Sequence, residues 1–69
     1  MNQELLVMGY LRKYGSITQK DATAELGVTR LAAIIWKLVN KRGFLILNKW
    51  EKGKNRFGME TRYKRWYLP

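Results

Sequence analysis

Arg30, Ala33, Lys37 and Asn40 follow one another at three- and four-residue spacing. At about 100° per residue they fall on one side of a helix, opposite a stripe of Leu31, Ile34, Ile35 and Leu38. Their chemistry suits recognition rather than reaction. A guanidinium can donate two hydrogen bonds to guanine, an Asn amide can pair with adenine, and an Ala admits close approach or touches a thymine methyl; an ammonium suits a phosphate. A second group, Lys49, Lys52, Lys54 and Arg56, surrounds Asn55 in a polar stretch with two glycines, Gly53 and Gly58. A third, Thr18, Gln19 and Lys20, stands where a helix would begin, and free backbone N–H groups there attract anions. The groups of a reaction centre are missing: the chain has no His and no Cys, and its five carboxylates are dispersed. An enzyme, a metal site, a cofactor or a small-molecule ligand is therefore not expected.

Charge points the same way. Fourteen Lys and Arg against five Asp and Glu give a net +9 and a pI near 10.3. Residues 1–36 carry only +1, and residues 37–69 carry +8. Positive charge concentrated in one half of a folding chain is the footprint of a polyanion binder. At 46% hydrophobic the sequence is too apolar for a disordered basic tail. Its 69 residues suffice for one domain, 1–69, and one small core. No apolar run approaches a membrane span, and the N-terminus lacks the pattern of an export signal, so a cytoplasmic protein is expected.

The elements that must position these residues can be read in order. Asn2 caps a helix running to about Tyr14, with Leu5, Met8 and Leu11 on its inner face and Gly15 as its stop. A short extended piece at 15–17 follows, in which Ser16-Ile17 adds one or two pairs to a sheet edge and Ile17 points inward. Thr18 caps a second helix, Gln19 to Leu26, and Asp21 takes the reciprocal position of a capping box. Gly27 ends that helix and Val28 plugs the turn. Thr29 is read as the cap of the third helix, which closes at Lys41, Arg42 and Gly43; the two cations suit the negative end of the dipole. Phe44 to Glu51 reads as a strand apolar on both faces at its start. Lys52 to Gly58 then forms a hairpin tip, and Met59 to Leu68 a last strand with Trp66 and Leu68 packed inward. The expected fold is α+β, mostly α: three helices, then a two-stranded hairpin.

The segments Ile17-Thr18, Asp21-Ala22, Leu26-Gly27-Val28-Thr29-Arg30-Leu31, Ile35, Leu38 and Gly43-Phe44-x-Ile46 together resemble small winged helix-turn-helix domains of bacterial and phage regulators. The run Arg30-Leu31-Ala32-Ala33-x-Ile35 is most like the short phage-encoded versions. The resemblance covers essentially the whole chain. It implies a double-stranded DNA partner, with the third helix in the major groove and the hairpin wing on the backbone or in the minor groove. Thr29, Arg30, Ala33, Lys37, Asn40 and Lys41 would then belong to the reading helix, Thr18, Gln19 and Lys20 to a phosphate contact, and Lys49, Lys52, Lys54, Asn55 and Arg56 to the wing. One departure concerns Thr23, where many such motifs place Ala. Either its hydroxyl bonds back to the helix, or Ala22 and Ala24 take the close approach.

Trp36 and Trp50 bear on partners. Burial tendency predicts that Trp36 packs against the wing, on Trp50. An exposed Trp36, with Ala32 and Val39, would instead mark a homodimer or protein interface. The alternatives to a regulator are thus a protein-interaction module on the same scaffold and an architectural binder without sequence choice.

Overall fold

The computed structural model of the chain describes residues 2–69. Its elements in order are α1 (Gln3–Tyr14), β1 (Ser16–Thr18), α2 (Gln19–Asp21) running into a π-helical segment (Ala22–Leu26), α3 (Leu31–Asn40), β2 (Leu47–Lys54) and β3 (Glu60–Tyr67). The strands form one antiparallel sheet in the order β1-β3-β2.

Local chemistry sets the helix limits. Asn2 Oδ1 accepts from the Glu4 N–H at 2.7 Å. Gly15, at φ +83°, donates its N–H to Leu11 O and closes α1. At Thr18 the capping box is complete: the Asp21 N–H donates to Thr18 Oγ1, and the Thr18 N–H donates to Asp21 Oδ2. Asp thus does here what Glu or Gln usually does. The second helix widens after Asp21, where the Val28 N–H reaches back to Ala22 O. Gly27, at φ +67°, then turns the chain.

The core joins Val7, Met8 and Leu11 of α1 to Ile17, Ala22 and Val28, to Leu31, Ile34, Ile35 and Leu38 of α3, and to Ile46. The α3 stripe is the expected one. On α1 the expectation fails at Leu5, which is 68% exposed, while Val7 is fully buried. Apolar residues wrap much of α1, so spacing alone did not single out the stripe that meets α3. Ala22 is buried and Ala24 exposed; the Thr23 hydroxyl bonds to Val28 O at 3.3 Å.

Two further expectations are corrected. Thr29 does not cap α3: Arg30 occupies the cap position without a side-chain hydrogen bond, and the Leu31 N–H finds its acceptor on Gln19 instead. The strand read at Phe44–Glu51 lies three residues later. Tyr67, the last residue of β3, pairs with Leu47, so residues 44–46 have no strand to pair with. Leu68 donates instead to Gly15 O, and Pro69 has no N–H to give. Leu45 is accordingly exposed. At the far end the ladder persists through Lys52 and Gly53 to the pair Lys54↔Glu60, so the tip shrinks to residues 55–59. β1 contributes three pairs, Ser16↔Tyr67, Ile17↔Trp66 and Thr18↔Arg65, and Ile17 is buried as expected. Trp66 and Leu68 pack against the core, also as expected.

Candidate nucleic-acid interface

Gln19 fixes the relative position of α2 and α3. Its Nε2 donates to Thr23 Oγ1 and to Val28 O, both at 2.9 Å, and its Oε1 accepts the Leu31 N–H at 3.1 Å. One amide therefore satisfies the turn's carbonyl and the first free donor of α3. Sequence reasoning grouped Gln19 with phosphate contacts; in the structure its side chain is spent on this clamp. Thr18 is buried and engaged in its capping box, whereas Lys20 is exposed.

Ala33, Lys37 and Asn40 lie exposed on the outer side of α3, with Thr29 and the cap residue Arg30, whose backbone is not helical, exposed just before the helix and Lys41 just after it. Asn40 also has a local role, since its Nδ2 donates to Trp36 O at 3.0 Å. Trp36 does not pack on Trp50. It is 57% exposed and Trp50 is 67% exposed. By helical rotation Trp36 projects beside Asn40, on the side of α3 that carries Ala32 and Val39 and away from the buried stripe. Burial tendency pointed the other way because it weighs volume and ignores direction. Ala32 and Val39 are exposed on the same helix.

The sheet sorts the wing residues by face. Alternation puts Trp50, Lys52 and Lys54 on the face of β2 shared with Arg62 and Lys64, the face that carries Ile17 and Trp66 toward the core. Lys64 Nζ lies 5.2 Å from the centre of the Trp50 ring and 5.9 Å from that of Trp66. Lys49, read from sequence as part of the same surface, is on the opposite face. There it approaches Glu51 at 3.8 Å and lies over Tyr67. Glu51 accepts from Arg65 Nε at 2.7 Å, and Arg65 Nη1 reaches Ser16 Oγ. The hydrogen bond from Arg65 holds the Glu51 carboxyl below its ordinary range, and the same bond raises Arg65. Arg65 is thus a structural cation, while Arg62 and Lys64 remain on the inner face.

The tip is built by Asn55, whose Oδ1 accepts from the N–H groups of Phe57 and Met59 at 2.9 and 3.1 Å. Arg56 is exposed there, over the Phe57 ring.

Helix and wing enclose one open cleft of about 830 Å³. Its walls include Gln19, Lys20 and Asp21 of α2, a single residue of α3, Ala32, and Trp50, Lys54, Arg62 and Lys64 of the wing. It runs beside the part of β3 beyond the end of β1. No acidic residue occurs between Leu26 and Trp50, so α3 contributes no opposing charge. Glu4, at the other end of the molecule's charge pattern, is tied to Arg42 at 3.1 Å and its carboxyl is lowered by that hydrogen bond.

A family model described as a winged helix-turn-helix domain matches residues 2–68. The chain belongs to that family. Helix-turn-helix domains that bind DNA do so through the helix after the turn; in this winged helix-turn-helix domain that helix is α3, and the cleft beside it lies between α2 and the wing. No curated protein and no solved structure matches the sequence. No helix among the described residues is long and apolar enough to cross a membrane.

Proposed function

We propose that this winged helix-turn-helix domain is a sequence-reading, double-stranded DNA-binding regulator of the phage or bacterial kind, acting in the cytoplasm by binding rather than catalysis. The observation that carries this reading is the distribution of cations around the turn: Lys20, Lys54, Arg62 and Lys64 line the cleft between α2 and the wing, and the outer side of α3 exposes Lys37 in a stretch of sequence without acidic residues. In this reading α3 enters the major groove. Arg30 addresses guanine, Ala33 sits against the groove floor, and Lys37 and Lys41 reach phosphates. Lys20, with the start of α2, meets the flanking backbone, and Lys52, Lys54 and Arg56 follow the strand on the other side. Asn40 can offer adenine only what its bond to Trp36 leaves free.

Selection from a random duplex pool, followed by salt titration of the selected site, tests this. A defined consensus is expected. If six to eight phosphates are neutralised, log affinity falls with log salt at about −0.9 per contact. A pool that yields no consensus, or binding indifferent to salt, would defeat the reading. A palindromic consensus would report a homodimer.

The exposed run Ala32, Trp36 and Val39 supports a second reading, a protein-docking surface with the indole as anchor. Charge reversal at Arg30 and Lys37 separates the two. It abolishes function in the DNA reading and spares it in the docking reading, where Trp36→Ala is the damaging change.

A further inference from the structure

The wing ends in the two side chains least suited to a solvated turn. Phe57 is 78% exposed, more than any other large apolar residue of the core or surface described above, and Met59 is 63% exposed. Neither is needed to make the turn. Asn55 supplies the acceptor for both backbone N–H groups, its own N–H donates to Met59 O, and Gly58 provides the left-handed step at φ +78°. The tip is therefore a fixed platform that displays an aromatic ring and a thioether. It stands at the end of eight consecutive β2–β3 pairs, about 24 Å from the root of the sheet by strand rise. Cations accompany it: Lys54 is the last ladder residue, and the Arg56 guanidinium lies 6.0 Å from the Phe57 ring centre.

An apolar pair projecting from a basic arm has a use on a duplex. Minor-groove proteins insert Phe, Leu, Ile or Met between base pairs, unstack one step and kink the helix away from themselves. The unstacking cost is smallest at pyrimidine–purine steps. We propose that Phe57 and Met59 form such a wedge: the wing does not merely follow the backbone but inserts at its tip and bends the DNA, while Arg56 and Lys54 hold the flanking phosphates. This rests on the DNA-binding reading above and extends it to the shape of the bound duplex.

The test uses the full chain and a selected duplex labelled at both ends for energy transfer. Wild type is compared with the double variant Phe57→Ala/Met59→Ala and with Phe57→Leu. All three should melt at the same temperature, because the substituted side chains are exposed. Wild type should bend the duplex within the 20–90° span typical of wedge proteins. The double variant should bind about tenfold more weakly, with the same salt slope, and leave the duplex straight. Phe57→Leu should restore most of the bend. A TA or CA step placed under the tip should tighten wild type severalfold and leave the double variant unchanged. Equal bends for wild type and double variant would overturn the wedge while leaving DNA binding intact. So would Phe57-dependent flotation with vesicles of phosphatidylglycerol and phosphatidylcholine alongside a Phe57-independent bend, which would make the tip a membrane contact. Absence of any duplex binding by wild type would overturn both proposals together.

Discussion

Replacing Gln19 by Ala should weaken the whole domain, although the residue is neither large nor part of the apolar core. The substitution deletes three hydrogen bonds at 2.9, 2.9 and 3.1 Å. They are not equal losses. Val28 O keeps the Thr23 hydroxyl at 3.3 Å, and Thr23 is exposed enough to be solvated. The Leu31 N–H keeps nothing, because Arg30 provides no side-chain cap. Losing a helix cap costs about 1 kcal/mol, and the two donor bonds together add about another 1 kcal/mol net. A total near 2 kcal/mol corresponds to a fall in Tm of roughly 8–16 °C for a chain of this size. Gln19→Met separates hydrogen bonding from packing, since it fills similar space without polar atoms; it should lose nearly as much as Ala. Thermal melting followed by circular dichroism gives the stability, and amide exchange at Leu31 locates the effect. Both variants melting within about 2 °C of wild type, or an unchanged Leu31 exchange rate, would refute the clamp.

Three other outcomes follow from the same geometry. Lys52→Ala should reduce the slope of log affinity on log salt by about 0.9, whereas Lys49→Ala, on the far face of the wing, should leave it unchanged; filter-binding titrations over a salt series decide this. The Glu4 and Glu51 carboxyls are lowered by Arg42 and Arg65, so each contributes stability above the ordinary carboxylate pKa of about 4.3 and loses it as pH falls through the lower folded value. A plot of Tm against pH should therefore drop on its acid limb, and Glu51→Gln should flatten that limb while lowering Tm at neutral pH. Gly27→Ala meets no steric block, since nothing lies within 4 Å of an added Cβ, but the φ of +67° makes it cost about 1 kcal/mol. That is roughly 4–8 °C in Tm by calorimetry.

What could be read from the sequence, and what could not, divides along the range of the interactions. Asn2, the Thr18–Asp21 box and the four-residue stripe of α3 act within a turn or two, and their residue types announce them. The matched family and the hairpin after α3 followed from that local chain of cues. The Gln19 clamp was hidden because its partners lie four, nine and twelve residues away and meet only once the turn has closed. The limits of β2 were hidden because they depend on where another strand stops. The division of wing lysines between two faces needed the register, since moving the strand by one residue reverses every assignment. On α3 the outward direction of Trp36 was available from the same rotation that exposed Ala33 and Asn40, and the expectation of burial overrode it. The exposure of Phe57 and Met59 has no signature in a stretch whose composition marks an ordinary turn.

Thr18 has a double membership whose consequence is mechanical. It is the last residue of β1, paired with Arg65, and also the cap of α2. Leu68 meanwhile binds Gly15 at the other end of the same short strand. The wing is thus joined to α2 through a rigid coupling of three residues rather than a hinge, and the Gln19 amide carries the connection on to α3, so the spacing of wing and α3 is set before any duplex arrives. Little orientational freedom remains to be surrendered on binding, so more of the contact energy is expressed as affinity. The adjustment that a mismatched groove width would demand falls on the DNA, the softer of the two bodies.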